Sequence, residues 1–243
     1  MENIEGEFEK LKTVILAGGF GTRISEETRF KPKPLVEIGG KPIIWHIMKI
    51  YSHYGVKEFV ICCGYKGELI QEYFDKLDEP WTVTPIDTGQ ETMTGGRLKL
   101  VQKHLENDRF CFTYGDTLNN VNINELVNYH VKKKTLATVT ACRPPEKYGI
   151  LKLKDEMVIG FQEKPHREGE WVNGGFFVLE PGIFDYIKND LTVWEKEPIQ
   201  NLANDNQLAA YKHTKFYQPM DTLSDKNYLE KLWQNKTADW KVW

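Results

Sequence analysis

Residues Leu16-Ala-Gly-Gly-Phe-Gly-Thr-Arg23 have the composition of an anion cradle. Gly18, Gly19 and Gly21 lack the Cβ atoms that would hold a phosphate away from backbone N–H groups. Thr22 adds a hydroxyl donor, and Arg23 a forked cation matched to phosphate oxygens. The segment follows Thr13-Val-Ile-Leu-Ala17, a short apolar run that reads as a buried strand, so the free N–H groups would converge just beyond a strand end. A tight strand-to-loop turn would use the same glycines; the adjacent Thr-Arg favours phosphate. Gly21-Thr-Arg lacks the Gly-Lys-Ser/Thr that ends a Walker loop. Glu26 to Pro34 reads as loop, whereas a dinucleotide fingerprint opens directly into a helix.

Other chemistry-bearing residues sit where a strand ends or breaks. Asp116 closes the apolar run Phe110 to Tyr114, where a carboxylate is costly unless it caps a turn or holds a cation. Asp221 follows Pro219-Met220 at a helix start, and either N-caps that helix or serves as a ligand. Asn173-Gly-Gly175 interrupts a strand with two glycines, implying a bulge or a close ligand approach at Asn173 and Gly174. Trp81, Trp171 and Trp194 are candidate walls for a ligand, or simply core. The six histidines are scattered without ligand spacing and receive no role.

The elements that must position these groups alternate. Strand-like runs at Thr13–Ala17, Glu58–Cys63, Trp81–Ile86 and Phe110–Tyr114 are separated by helical segments. These helices cover Pro42–Tyr51 (apolar face Ile43, Ile44, Ile47, Met48, Tyr51), about Glu68–Phe74, and a stretch after Gly95-Gly96. Asn122 is placed to cap a helix over Ile123–Lys133, with Glu125 at the capping-box position. The pattern predicts an α/β fold with a Rossmann-like, doubly wound, mainly parallel sheet and ligands at the strands' carboxyl ends. The later half is richer in strand: Leu136–Arg143, Ile150–Lys154, Met157–Gln162 and Val172–Leu179, with a hairpin at Lys154-Asp-Glu156. Helices return near Ile183–Ile187, Pro198–Asn204 and Leu223–Trp233. No linker or repeat divides the chain, so residues 1–243 read as one domain, with halves at 11–135 and 136–243.

Composition excludes several classes. With 32 Lys+Arg against 35 Asp+Glu there is no basic footprint for nucleic acid, and Lys132-Lys133-Lys134 reads as a helix end. Cys62, Cys63, Cys111 and Cys142 fall in apolar runs without zinc spacing, which predicts buried free thiols and a cytoplasmic protein. No apolar run approaches membrane-spanning length, and the polar start does not resemble a signal peptide.

The glycine segment followed by Lys31-Pro-Lys-Pro-Leu-Val-Glu-Ile38 resembles the signature of the sugar-nucleotide pyrophosphorylases, a nucleotidyltransferase family. Phe112-Thr-Tyr-Gly-Asp116, Phe161-Gln-Glu-Lys-Pro165, Val172-Asn-Gly-Gly175 and Tyr217-Gln-Pro-Met-Asp221 follow in the same order. Ile61-Cys-Cys-Gly-Tyr-Lys66, Asp87-Thr-Gly89, Met93-Thr-Gly-Gly-Arg97 and Trp240-Lys-Val-Trp243 resemble the branch that joins CTP to α-D-glucose 1-phosphate, for surface-polysaccharide deoxysugars.

The resemblance implies a nucleotide-binding half and a sugar-phosphate-binding half. Arg23 and Lys33 would be catalytic, stabilising the departing pyrophosphate; Lys31, two residues earlier, is out of register with the family position. Leu16, Ala17, Gly18, Gly19, Gly21, Thr22 and Gly115 would hold the nucleotide, with Thr92, Gly95, Gly96 and Arg97 around its base. Asp116 and Asp221 would hold Mg²⁺. Glu163, Lys164, Asn173 and Gly174 would hold the sugar phosphate, a strand-end salt bridge being the other reading of Glu163-Lys164. A homo-oligomer is also implied.

The chain departs from these enzymes at Asp75-Lys-Leu-Asp78, which replaces a longer polar excursion. The same chemistry with UTP, dTTP or another sugar 1-phosphate is the nearest alternative. A non-catalytic sensor would have lost the charged residues retained here, and a glycosyltransferase would show paired carboxylates after a strand where Tyr114-Gly-Asp116 offers one.

Overall fold

The computed structural model describes residues 11–144, 150–162 and 170–243. Side-chain alternation along β1 (Lys12–Ala17) sets its plan: Val14 and Leu16 enter one buried cluster, Ile15 and Ala17 another. A strand buried on both faces requires helices on both sides.

After β1 and the glycine-rich loop come a short helix α1 (Ser25–Thr28) and a ribbon of β2 (Glu37–Ile38) with β3 (Lys41–Pro42). The units α2 (Ile43–His53), β4 (Glu58–Cys63), α3 (Gly67–Asp75), β5 (Thr82–Asp87), α4 (Thr94–Leu100) and β6 (Phe110–Tyr114) follow. Next are β7 (Thr117–Asn119), α5 (Ile123–Lys133), β8 (Ala137–Cys142), the hairpin of β9 (Ile150–Lys154) and β10 (Met157–Gln162), and β11 (Val172–Leu179). The chain closes through α6 (Glu197–Asn204), β12 (Leu208–His213), β13 (Tyr217–Pro219) and α7 (Leu223–Gln234).

Seven strands form one sheet in the order β12-β8-β11-β6-β1-β4-β5. β11 is antiparallel to both of its neighbours, and the remaining pairings are parallel. The carboxyl ends of β1, β4 and β6 therefore share an edge with the amino end of β11. Strands from the first and second halves of the chain are hydrogen-bonded into this same sheet.

Residues from α2, α3, α5 and α7 line one core cluster; residues from α4 and α6 line the other. The predicted face of α2 is fully buried at Ile43, Ile44, Ile47, Met48 and Tyr51. Asn122 caps α5 by accepting from the Glu125 N–H, and Asp155 and Glu156 turn the β9–β10 hairpin with positive φ. All four cysteines are free and buried. No helix among the described residues is long and apolar enough to cross a membrane.

Three details differ from the sequence reading. α4 begins at Thr94 and encloses Gly95 and Gly96, because their backbone packs against the 190–192 segment: a Cβ on Gly96 would lie 2.3 Å from the Asp190 carbonyl oxygen. The expected helix near Ile183–Ile187 is a 3₁₀ turn over Pro181–Tyr186. β12 is an edge strand with no continuous apolar run to announce it.

Trp240, which follows α7, is buried against His46 on α2. His46 Nε2 lies 2.8 Å from the Ile38 carbonyl and so must donate, leaving Nδ1 to accept from the Trp240 indole N–H at 3.4 Å. A second ring proton would face that indole donor. Burial, more than any other cause, pulls the His46 pKa down to about 4 from 6.5. The unfolded chain then binds the extra proton first, so stability present above pH 6.5 drains away as pH falls towards about 4. We expect denaturant titrations to lose about 2 kcal/mol from this site between pH 7 and pH 5, with a shallower decline in His46→Gln. An equally steep decline in the variant would refute the assignment.

Candidate active site

At the shared sheet edge lies a cleft of about 620 Å³. Leu16 to Arg23 form its floor and one rim; Gln90 to Thr94 with Arg97 form a second wall. Lys33, Pro34, Tyr114 to Thr117, Asn173, Tyr217, Pro219 and Asp221 complete it.

The N–H groups of Gly19, Phe20 and Gly21 find no acceptor among the described residues, which leaves them available to a ligand. Gly21 adopts φ +64°, and a Cβ there would press within 3.1 Å of Lys33 Cβ. Gly19 is different: a Cβ on it would meet open space, so this is where an anion can reach the backbone.

Lys33 begins a one-turn 3₁₀ segment held between Pro32 and Pro34, and is 8% exposed. Its Nζ lies 2.5 Å from Asp116 Oδ2 and 3.0 Å from Asp221 Oδ1. Arg23, itself exposed, reaches the same Asp221 oxygen at 2.9 Å. Lys31 instead pairs with Glu37 at 3.4 Å and does not line the cleft.

The two aspartates, far apart in sequence, are brought together by the ribbon β7–β13, in which Thr117 pairs with Pro219. The Met220 N–H donates to the Asp116 carbonyl at 2.9 Å and locks the ribbon's end. Asp221 is not the N-cap of α7. Thr222 is, in a capping box with Asp225, which leaves the Asp221 carboxylate free for the cleft. Two carboxylate oxygens thus converge on one position already taken by a cation, and both side chains are partly open to the cleft. This donor set fits a hard divalent cation. Among the described residues no cluster of three or more His, Cys, Asp or Glu could hold a metal, so phosphate oxygens and water would supply the remaining ligands.

Arg97 is 5% exposed. Its Nη1 donates to the Cys63 carbonyl at 3.0 Å, Thr88 Oγ1 at 2.7 Å and the Gly89 carbonyl at 2.7 Å. Its Nη2 donates to the Gly18 and Gln90 carbonyls at 3.2 and 3.0 Å. The guanidinium therefore ties together the backbone behind the cleft. A Cβ on Gly18 would fall 2.2 Å from Arg97 Nη1, and one on Gly115 would fall 2.6 Å from the Leu16 carbonyl. Those two glycines are required by close packing of the site's own parts.

Of the residues singled out from sequence, Leu16 to Gly19, Gly21 to Arg23, Lys33, Thr92, Arg97, Gly115, Asp116, Asn173 and Asp221 line the cleft. Gly95 and Gly96 do not: they pack against Thr192 and Asp190, and their N–H groups donate to the Thr192 carbonyl at 2.9 and 3.2 Å. Gly174 faces Cys142 and Thr140 of β8, where a Cβ would come within 2.4 Å of the Cys142 sulfur. Glu163 and Lys164 lie outside the described residues. Asn173 serves both readings: its Oδ1 accepts from Gly175 N–H within a β11 register break, and its side chain lines the cleft.

The tryptophans do not wall the cleft. Trp194 is fully buried among Phe112 and Phe177, Trp81 packs on Phe59, and Trp171 lies against the Arg143 guanidinium at 4.2 Å. Sequence reading missed Gln90, Glu91, Tyr114 and Tyr217 as lining residues. For Tyr114 the signal was available, since it directly precedes Gly115-Asp116 at a strand's carboxyl end.

A mainly parallel α/β sheet bearing a glycine loop, two cations and two carboxylates at its carboxyl edge defines a nucleotidyl-transferring enzyme. The chain belongs to the nucleotidyl transferase family, whose model matches residues 12–235. It is 50% identical over 256 aligned positions to glucose-1-phosphate cytidylyltransferase of Salmonella typhimurium, covering 96% of this chain and 100% of that protein. It is 43% identical over 255 positions to the probable glucose-1-phosphate cytidylyltransferase of Bacillus subtilis, with the same 96% and 100% coverage. In structure it resembles HddC from Yersinia pseudotuberculosis, with TM-score 0.72 at 24% identity over 92% of this chain and 99% of that one. The Salmonella alignment is longer than this chain's 243 residues, so that relative carries residues with no counterpart here, consistent with the short Asp75–Asp78 connection.

Replacing Arg97 by Met would strip a donor from four carbonyls, two of them in buried contacts, and we expect a loss of about 3 kcal/mol in stability by chemical denaturation. Gly18→Ala displaces the same guanidinium, so the double variant should lose little more than the worse single one. Full additivity would show that Gly18 and Arg97 act independently.

Proposed function

We propose that the chain transfers the cytidylyl group of CTP to α-D-glucose 1-phosphate, forming CDP-glucose and pyrophosphate with Mg²⁺. The observation that carries this reading is the convergence of Lys33, Arg23, Asp116 and Asp221 beside the open N–H groups of the glycine loop. The choice of CTP and glucose 1-phosphate follows the end-to-end relatives.

The attacking oxygen belongs to an ionised sugar phosphate, so no strong base is needed, and the described cleft lining includes no histidine or cysteine. The phosphate oxygen attacks the α-phosphorus, the bond to the α–β bridging oxygen breaks, and pyrophosphate leaves. Both substrates are polyanions, so the protein's task is to offset their repulsion and align them. Gly19, Phe20 and Gly21 offer backbone donors, and Lys33 and Arg23 balance the charge that builds on the departing pyrophosphate. Asp116 and Asp221 would hold a Mg²⁺ ion, which would supply Lewis-acid chemistry by neutralising phosphate charge. The Thr92 side of the cleft takes the base, with Arg97 fixing the backbone behind it. Asn173, together with Glu163 and Lys164, takes the sugar phosphate.

In a panel of triphosphates against glucose 1-phosphate, read by pyrophosphate release, kcat/KM for CTP should exceed that for UTP and dTTP by roughly tenfold or more. Equal or faster turnover with either competitor would overturn the assignment of the base. Asp116→Asn and Asp221→Asn should each lower kcat by roughly a hundredfold or more, and chelation should abolish wild-type turnover until Mg²⁺ is restored. Wild-type rates in both variants would remove the carboxylates from the mechanism.

A further inference from the structure

Along the wall where β6 ends and β11 begins, hydrogen bonds run in one direction. The Tyr114 hydroxyl donates to Glu195 Oε1 at 2.7 Å. Asn173 Nδ2 donates to the Tyr114 oxygen at 3.0 Å, and Gly175 N–H donates to Asn173 Oδ1 at 2.9 Å. The other Glu195 oxygen accepts from Thr94 Oγ1 at 2.6 Å, and Thr94 Oγ1 accepts from the Trp194 N–H at 2.9 Å. Tyr114, Thr94 and Asn173 line the cleft; Glu195, exposed on the segment before α6, does not line it.

The order of donors follows from chemistry. An ionised carboxylate can only accept, so the single Tyr114 proton is committed to Glu195. A phenol keeps its proton at neutral pH, and the 2.7 Å contact directs that proton at Glu195. The Tyr114 oxygen is left to accept, which fixes the Asn173 amide with its nitrogen towards Tyr114 and its oxygen on the Gly175 N–H. Asn173 Nδ2 carries a second N–H not used in this chain. A ligand made of phosphate and hydroxyl oxygens is best met by such a donor with a set direction. The same carboxylate touches Thr94, at the start of the helix beside the nucleotide wall.

We propose that Glu195 is a positioning residue that sets the hydrogen-bond polarity of Tyr114 and Asn173, so that Asn173 presents a donor to the sugar 1-phosphate. This rests on the sugar-nucleotide reading above. In Glu195→Gln the neutral amide can donate as well as accept, and the Tyr114 hydroxyl is free to turn towards Asn173.

The test is steady-state kinetics of Glu195→Gln, Tyr114→Phe and the double variant, with thermal melting to verify each fold. Each single variant should raise KM for glucose 1-phosphate roughly tenfold, with KM for CTP within about twofold of wild type. The double variant should match the single ones, since both cut one chain. Multiplying effects in the double variant, equal changes in both KM values, or an unchanged sugar-phosphate KM would overturn the proposal. Should the wild type prefer another triphosphate or sugar phosphate, the same comparison is made on that pair. A wrong substrate and a wrong role for Glu195 are then told apart.

Discussion

A single guanidinium holds the floor of the active site together. Arg97 binds carbonyls that follow β1 and end β4, and two more in the segment after β5. Three separate loops are thereby fixed by one planar group, and no lysine could replace it, because an ammonium has neither the reach nor the fork. The surrounding glycines follow from this. A Cβ on Gly64 would lie 2.6 Å from Arg97 Nη1, and one on Gly18 closer still. Part of what looks like a ligand-binding glycine motif is therefore a requirement of the protein's own clamp, and Gly19 is the glycine left open to a substrate.

The second constraint is electrostatic. In the proposed reaction two polyanions need cations and a divalent metal needs carboxylates, and both sets must stand within one hydrogen-bond length without being rigidly buried. The protein achieves this by mounting them on different elements. Lys33 comes from a proline-flanked turn, Asp116 from the end of β6 and Asp221 from the end of β13. Each charge is paired, which offsets the cost of its partial burial. Because Thr222 and Asp225 satisfy the start of α7, Asp221 is spared a structural duty there.

What could be read from sequence was what is encoded locally. The run Thr13–Ala17, the periodic face of α2 and the Asn122 cap each depend on residues a few positions apart, and each is present. The anion loop was legible in its own residue types after a buried strand, whereas the importance of Lys33 over Lys31 came from motif resemblance, and Lys33 is the one that lines the cleft. What escaped depends on pairing across the chain. β7 and β13 are three residues each and carry no periodic signal, yet they set Asp116 beside Asp221. Gly95 and Gly96 were expected at the base by resemblance, and Gly174 at a ligand because glycine in a strand marks a close approach; only the fold shows that the approaching partner is Asp190, Thr192 or β8. Glu195 lies in an unremarkable acidic stretch, and nothing local indicates that its partners are Thr94 and Tyr114.

These pieces divide the labour of the site. The charged groups stand just beyond β6 and β13 and on the turn at Lys33, whereas the proposed base wall, residues 90–94, is a separate segment held by Arg97 from behind and by the 190–195 segment from the side. Shape and backbone direction along residues 90–94 can thus change without moving Lys33, Asp116 or Asp221. Phosphate chemistry depends on charge and tolerates any base, while discrimination between bases depends on a few neutral donors and acceptors. Placing the two on different elements lets one reaction be kept while the nucleotide it accepts is varied. The bond from Thr94 to Glu195 is the point where the two proposed walls meet, so a change along residues 90–93 that spares Thr94 leaves Tyr114 and Asn173 in register.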